Sequence, residues 1–175
     1  MAEAAFSPEL VEEVIIACDL PSGGAYTAIG TYPHSELVAL VSELSRRGNT
    51  PASELIQGFG KHLFTTFLES HAAFFTSAGN TFDLLSRVED EIHVEVRKLY
   101  SDAELPSFEY ARPDDATLVM TYRSRRPFAD LAAGLIDAAV EHWGGGVDVV
   151  REALDDPERT AVQFTLTRRP AASAS

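Results

Sequence analysis

The apolar residues of this chain change their spacing after Pro106. Up to Leu99 they recur every three or four positions, and in the strand segments beyond Pro106 at every second position. The first spacing marks helices with one buried face; the second marks half-buried strands. The chain is therefore predicted to be α+β, with a helical N-terminal half packed on an antiparallel sheet.

Local signals divide each half further. Ser7-Pro8-Glu9 reads as a helix start, a capping hydroxyl and then proline at the first helical position, with the helix running to about Ala17. Pro21, Gly23, Gly24, Gly30 and Pro33 make the next stretch a loop. A second helix begins at Ser35, shows Leu37, Leu40, Val41 and Leu44 on one face, and ends at Arg46-Arg47-Gly48. Thr50-Pro51 repeats the cap-and-proline start for a third, with Leu55, Phe59, Leu63, Phe67 and Leu68 as its apolar face. Gly58 and Gly60 each weaken that helix by up to about 1 kcal/mol relative to alanine, or else admit close packing against something flat or bulky. The segment 70–80, with Phe74 and Phe75, reads as a short helix and turn. A fourth helix, about Phe82 to Leu99, carries Leu85, Val88, Ile92, Val96 and Leu99 on one stripe.

Beyond Pro106, Phe108 and Tyr110 form a short strand and Asp114-Asp115 a turn. Leu118, Met120, Tyr122 and Ser124 alternate with Val119 and Thr121 along a second strand. An inserted helix, about Phe128 to His142, ends at Gly144-Gly145-Gly146. Val147 to Leu154 fits a strand or a short helix, its valines favouring the strand. Ala161 to Thr167 is a further strand, and Pro170 to Ser175 is expected to fray.

Composition narrows the function. The 175 residues suit one domain, 1–175 with a core of about 8–169. The 27 acidic against 14 basic residues give a net charge of −13, which repels nucleic-acid backbones and anionic membranes. A single cysteine, Cys18, excludes an intrachain disulfide and a thiolate metal cluster. With no targeting signal and no apolar run of roughly 20 residues, the expectation is a cytoplasmic domain that binds neither nucleic acid nor membrane.

The common catalytic signatures G-x-S-x-G, H-E-x-x-H and the P-loop do not occur. Acidic pairs such as Asp90-Glu91 and Asp114-Asp115 read as solvated faces and turns, and His62 and His71 as surface residues. His93 differs, because it borders the apolar stripe of the fourth helix, with Glu89, Asp90, Val96 and Arg97 one turn away. It is either a boundary histidine bonded to a neighbour or an imidazole reaching into a cavity, where neutral imidazole is the usual proximal ligand of heme iron. Tyr122-x-Ser124-x-Arg126 lines one strand face with donors about 6.6 Å apart. That row suits a carboxylate or phosphate, or is an exposed face ending in a surface arginine. Arg123 and Arg125 point the other way, toward solvent.

Together these residues resemble the heme-nitric oxide/oxygen binding domain family, H-NOX, over roughly Val11 to Arg169. Asp90-Glu91-Ile92-His93 is similar to its proximal-histidine segment. Pro106 follows His93 by 13 residues, where the family has a proline that presses on the porphyrin. Tyr122-Arg123-Ser124-Arg125-Arg126 matches its Y-x-S-x-R signature, and the Gly134-Leu135-Ile136 helix follows. The resemblance implies heme b as cofactor in a pocket between the helical half and the sheet. His93 would be the axial metal ligand, and Tyr122, Ser124 and Arg126 would hold the heme propionates.

It also places Leu131 where some members carry a distal tyrosine, with Phe74 and Phe75 as further distal candidates. Leucine has no proton to give, so the implied ligand is nitric oxide, with weak oxygen binding. No enzymatic activity is implied; the implied partner is a separate protein, a histidine kinase or a cyclic-di-GMP enzyme, toward which Glu89, Asp90, Glu91 and Glu95 could steer a basic face.

One departure stands out. The chain begins about ten residues later than family members do, near their second helix. Val14 or Ile15 closing the pocket, faster heme loss, or a homodimer covering the gap are the expected consequences. The alternative reading keeps the fold without its heme, as a module for another carboxylate-bearing ligand or for a protein.

Overall fold

The computed structural model describes residues 2–27, 30–157 and 160–170. The tail expected to fray lies, beyond Pro170, outside them. Four helices open the fold: α1 (Ala2–Ala5), α2 (Pro8–Cys18), α3 (His34–Gly48) and α4 (Ala52–Ser70). Two short ones, α5 (Ala72–Thr76) and α6 (Thr81–Leu85), lead into a π-turn at Val88–Ile92 and then α7 (His93–Leu99). Strands β1 (Ser107–Asp114) and β2 (Thr117–Ser124), helix α8 (Ala129–His142), and strands β3 (Val147–Leu154) and β4 (Thr160–Arg168) complete it. The α+β class is as predicted, and the ambiguous Val147 to Leu154 segment is a strand. Among the described residues no helix is long and apolar enough to cross a membrane.

Cap chemistry sets several boundaries. The Ser7 hydroxyl accepts the Leu10 N–H at 3.2 Å and Pro8 opens α2, as expected. Thr50 does not repeat that role: its hydroxyl donates back to the Gly48 carbonyl at 3.2 Å, and α4 starts after Pro51 without a side-chain cap. Helix α3 runs through Gly48 and is closed by Asn49 in the left-handed region, φ 49°. In the loop between α2 and α3, the hydroxyls of Ser22 and Tyr26 donate to the buried Glu36 carboxylate and tie the loop to α3.

The four strands are antiparallel in the order β1-β2-β4-β3. Leu118, Met120 and Tyr122 of β2 and Val162, Phe164 and Leu166 of β4 form one buried face, against which α8 lays Ala132, Ile136 and Ala139. A smaller core of Val14, Leu44 and Leu55 joins α2, α3 and α4. The inward stripe of α4 matches the predicted one only in part: Leu55 is buried and Phe59, Leu63 and Leu68 are half-buried, but Gly60 and Phe64 are buried as well and Phe67 is 36% exposed. The reason lies across the helix pair. Cβ atoms added at Gly60 and Gly134 would stand 2.4 Å from the Leu131 carbonyl oxygen and 2.0 Å from that of Gln57, so α4 and α8 meet backbone to backbone.

Candidate functional site

The predicted fourth helix is broken where chemistry was expected. The N–H of His93 donates to the Val88 carbonyl, and that of Ile92 to Arg87, five residues back instead of four. Such π-turns are frequent at functional sites. His93 is buried, with Nδ1 3.0 Å from Glu89 Oε2. An ionised carboxylate only accepts, so Nδ1 carries the proton and donates, and Nε2 keeps its lone pair. Burial is the largest influence on the ring and lowers its pKa, against the opposing hydrogen bond and charge of Glu89. Neutral imidazole, the metal-binding form, is favoured.

Glu89 is held from three sides. Beside His93, its carboxylate accepts from Arg97 Nη2 at 2.9 Å and from the Phe108 N–H at 3.2 Å. Burial pushes the Glu89 carboxyl up, but the bonds from Arg97, His93 and Phe108 outweigh it and hold the group ionised. The backbone N–H of Glu89 donates to the Tyr110 hydroxyl at 3.3 Å. Glu89 therefore faces inward, a correction to its expected place on an acidic docking face.

Phe108 links this helix to the sheet. Its ring lies 5.8 Å from that of His93 and 5.6 Å from that of Tyr122, its cross-strand partner in the β1–β2 register. Tyr122 and Ser124 are buried on the inner face of β2, as the period-two pattern required. Burial raises the Tyr122 phenol pKa, opposed by hydrogen bonding with Ser124 and the Phe128 backbone. Arg126 lies beyond the end of β2, where the chain bends and its N–H donates to Ser124 Oγ at 3.0 Å. Its Nη2 meets the Glu104 carboxylate at 2.9 Å, while its Nε is buried without a hydrogen-bond partner among the described residues.

Ser124 and Arg126 wall a polar cavity of about 350 Å³ together with Arg97, Arg123, Arg125 and Glu104. Arg123 and Arg125 were expected to point to solvent. Arg125 is exposed, as expected, while Arg123 is half-buried and pairs with Glu109 at 3.1 Å; both border this cavity, because it opens at the end of the sheet. Pro106 sits between Leu105 and Ser107, both on the cavity wall, just before β1. Leu131 lies elsewhere: it lines an apolar cavity of about 340 Å³ with Val14, Ile15, Ile56, Phe59 and Phe128. Phe74 is half-buried against the main core with its ring 6.5 Å from that of His71, and Phe75 packs on Phe64 at 5.2 Å. Thus His93, Tyr122, Ser124 and Arg126 gather at one end of β1 and β2. Leu131 stands at a second cavity, and Phe74 is not brought to it.

Phe108 is the site residue that sequence reasoning did not single out, and Glu89 was named one turn from His93 without a role toward it. Glu89 carried a signal, four residues before His93, whereas Phe108 required the strand register.

A heme asks for one neutral imidazole and for donors to two carboxylates. His93 fits the first demand. The unpartnered Nε–H of Arg126 fits the second, with the Ser124 hydroxyl beside it, bonded to the Tyr122 phenol and accepting from the Arg126 backbone. Among the described residues no group of three or more His, Cys, Asp or Glu could hold a bare metal ion. One imidazole suffices when a porphyrin brings the remaining nitrogens.

A profile of the Haem-NO-binding family matches residues 1–151. The chain belongs to this family. Its fold is the gas-sensing fold of H-NOX domains, which are typically non-catalytic modules. It is 30% identical to the Fe(II) unliganded H-NOX protein from K. algicida, with a TM-score of 0.90 over 99% of this chain and 94% of that one. The IWP-051-bound H-NOX from Shewanella woodyi, in the Fe(II)CO state, is 38% identical with a TM-score of 0.81, covering 99% of this chain and 92% of that one. The Fe(II)NO form of an H-NOX protein from S. oneidensis, at 22% identity, shares the fold with a TM-score of 0.86 over 97% and 94% of the two chains. No curated protein sequence matches the chain.

Proposed function

We propose that this chain is a heme b-dependent nitric oxide sensor that signals to a separate protein. The observation that supports this most is the buried His93, proton on Nδ1 and lone pair on Nε2, one ring away from the Tyr122–Arg126 donor row. When bound, the heme would supply ferrous iron able to take up a diatomic gas.

The remaining work falls to side chains. His93 would hold the iron. Tyr122, Ser124 and Arg126 would bind the two carboxylates, with Arg126 exchanging the exposed Glu104 for one of them. Pro106, a residue of fixed φ, would add a stiff contact. Burial of the macrocycle contributes roughly 25 cal/mol per Å² of apolar surface. Leu131 offers no hydrogen to a bound gas. Oxygen, which gathers negative charge, loses more by that than nitric oxide does, so the reading favours nitric oxide.

His93 also stands at the joint between the π-turn and α7. A change in the pull on its ring is a change at that joint, the kind of two-state element that a ligand can bias. The proposed receiver is a histidine kinase or a cyclic-di-GMP enzyme, met through a basic face that suits the net charge of −13.

Absorption spectra of the ferrous protein, alone and with nitric oxide, carbon monoxide and air, test the proposal. The expected result is a Soret band that responds to nitric oxide and carbon monoxide and little to air, with protein ligation of the iron lost in His93→Ala. A folded, heme-supplemented protein with no Soret band, or one whose ligation survives His93→Ala, overturns it.

A further inference from the structure

Four acids crowd the segment around His93, and their surroundings differ. Glu91 is taken by Arg87, with one contact at 2.7 Å, and Glu95 by Lys98 at 2.5 Å, while Asp90 is exposed. Glu89 alone of the four bonds the imidazole, at 3.0 Å, and at the same time a strand N–H at 3.2 Å and the Arg97 guanidinium at 2.9 Å. We infer that Glu89 is a positioning residue for the axial imidazole and that Arg97 sets how strongly it acts. The inference rests on the reading of His93 as the iron ligand.

Two arguments carry it. The first is geometric. Turning the imidazole would break its bond to Glu89, and moving Glu89 would break bonds to both α7 and β1. The ring orientation is thus fixed by two elements besides its own, with Phe108 contributing both a backbone N–H to Glu89 and a ring against His93.

The second is chemical. A carboxylate accepting the Nδ1 proton enriches the ring in electron density and makes Nε2 a stronger donor to a metal. A guanidinium on the other oxygen of the same carboxylate draws that density away. Glu89 and Arg97 therefore act on His93 in opposite senses, a signature that mere structural support would not produce.

The experiment compares wild type, Glu89→Gln and Arg97→Gln as ferrous, heme-loaded proteins, reading the iron–histidine stretching frequency by resonance Raman and the reduction potential. Glu89→Gln keeps an acceptor oxygen but removes the charge, so its stretching frequency is expected to fall and its potential to rise. Arg97→Gln should shift both the other way. A heme-free readout accompanies these: ¹⁵N NMR should find His93 as the Nδ1–H tautomer in wild type and as a mixture in Glu89→Ala.

Unchanged values, or shifts of the same sign in both variants, overturn the inference and leave the sensor proposal standing. A wild-type protein without His93 ligation defeats the sensor proposal first, and the NMR arm then still decides whether Glu89 holds the ring. Should Glu89→Gln not fold, Arg97→Gln, whose side chain is 44% exposed, carries the test alone.

Discussion

The approach of α4 to α8 depends on two residues that have no side chain. A methyl group at Gly134 would sit 2.0 Å from a carbonyl oxygen, while one at Gly58 meets nothing within 4 Å among the described residues. Gly134→Ala should destabilise the protein by about 1–3 kcal/mol as overpacking forces the helices apart. Gly58→Ala should be neutral or stabilising by up to about 1 kcal/mol. Urea unfolding midpoints of the two variants separate these outcomes. The sequence shows that Gly58 and Gly60 weaken a helix. Which of them matters depends on Gly134, far along the chain, and no local pattern reports that. Leu131 is the residue-scale counterpart in function. Leu131→Tyr places a phenol at the apolar cavity, and gas titration of the heme-loaded variant is expected to show raised oxygen affinity with little change for carbon monoxide.

At the scale of elements, caps and short-range ion pairs decide boundaries. Asn80 accepts the N–H groups of Phe82 and Asp83 at 3.0 and 3.2 Å and so starts α6, and Arg168 of β4 reaches the same oxygen at 3.1 Å. Asn80→Ala should cost about 1 kcal/mol, read as a lowered melting temperature. Glu43 joins α3 to itself through Arg46 and Arg47, and Arg47 carries the link on to Glu13 of α2. Hydrogen bonds from the two arginines hold the Glu43 carboxyl at about 2, against an ordinary 4.5. A folded pKa below the unfolded one means stability present above pH 4.5 and lost as the pH falls from 4.5 toward 2. Glu43→Gln should flatten melting temperature against pH in that window. The break ahead of α7 was not legible, because Leu85, Val88, Ile92 and Val96 keep their three-and-four spacing straight through the π-turn. A change from four to five residues per hydrogen bond leaves the apolar stripe unmarked. Strand β2 was fully legible, since alternation names its inner face, and with it Tyr122 and Ser124. Arg126 was legible as a residue type but not in place, since it lies past the strand end.

Across the whole molecule, β4 is the strand on which the sheet depends. It pairs with β2 along one side and β3 along the other, and Phe164 at its middle is fully buried. Phe164→Ala should cost about 3–5 kcal/mol, a large share of the roughly 5–15 kcal/mol of an ordinary domain, and circular dichroism at rising temperature would show it. The order β1-β2-β4-β3 also sets a timetable during translation. On the ribosome, β1, β2, α8 and β3 all emerge before the strand that lies between β2 and β3. Until residue 168 has cleared the exit tunnel, β3 has no partner in the sheet and the β2 edge stays open. Until then the nascent chain carries that gap, and the end of β2 that bears Tyr122 and Ser124 cannot become rigid before β4 has taken its place between β2 and β3.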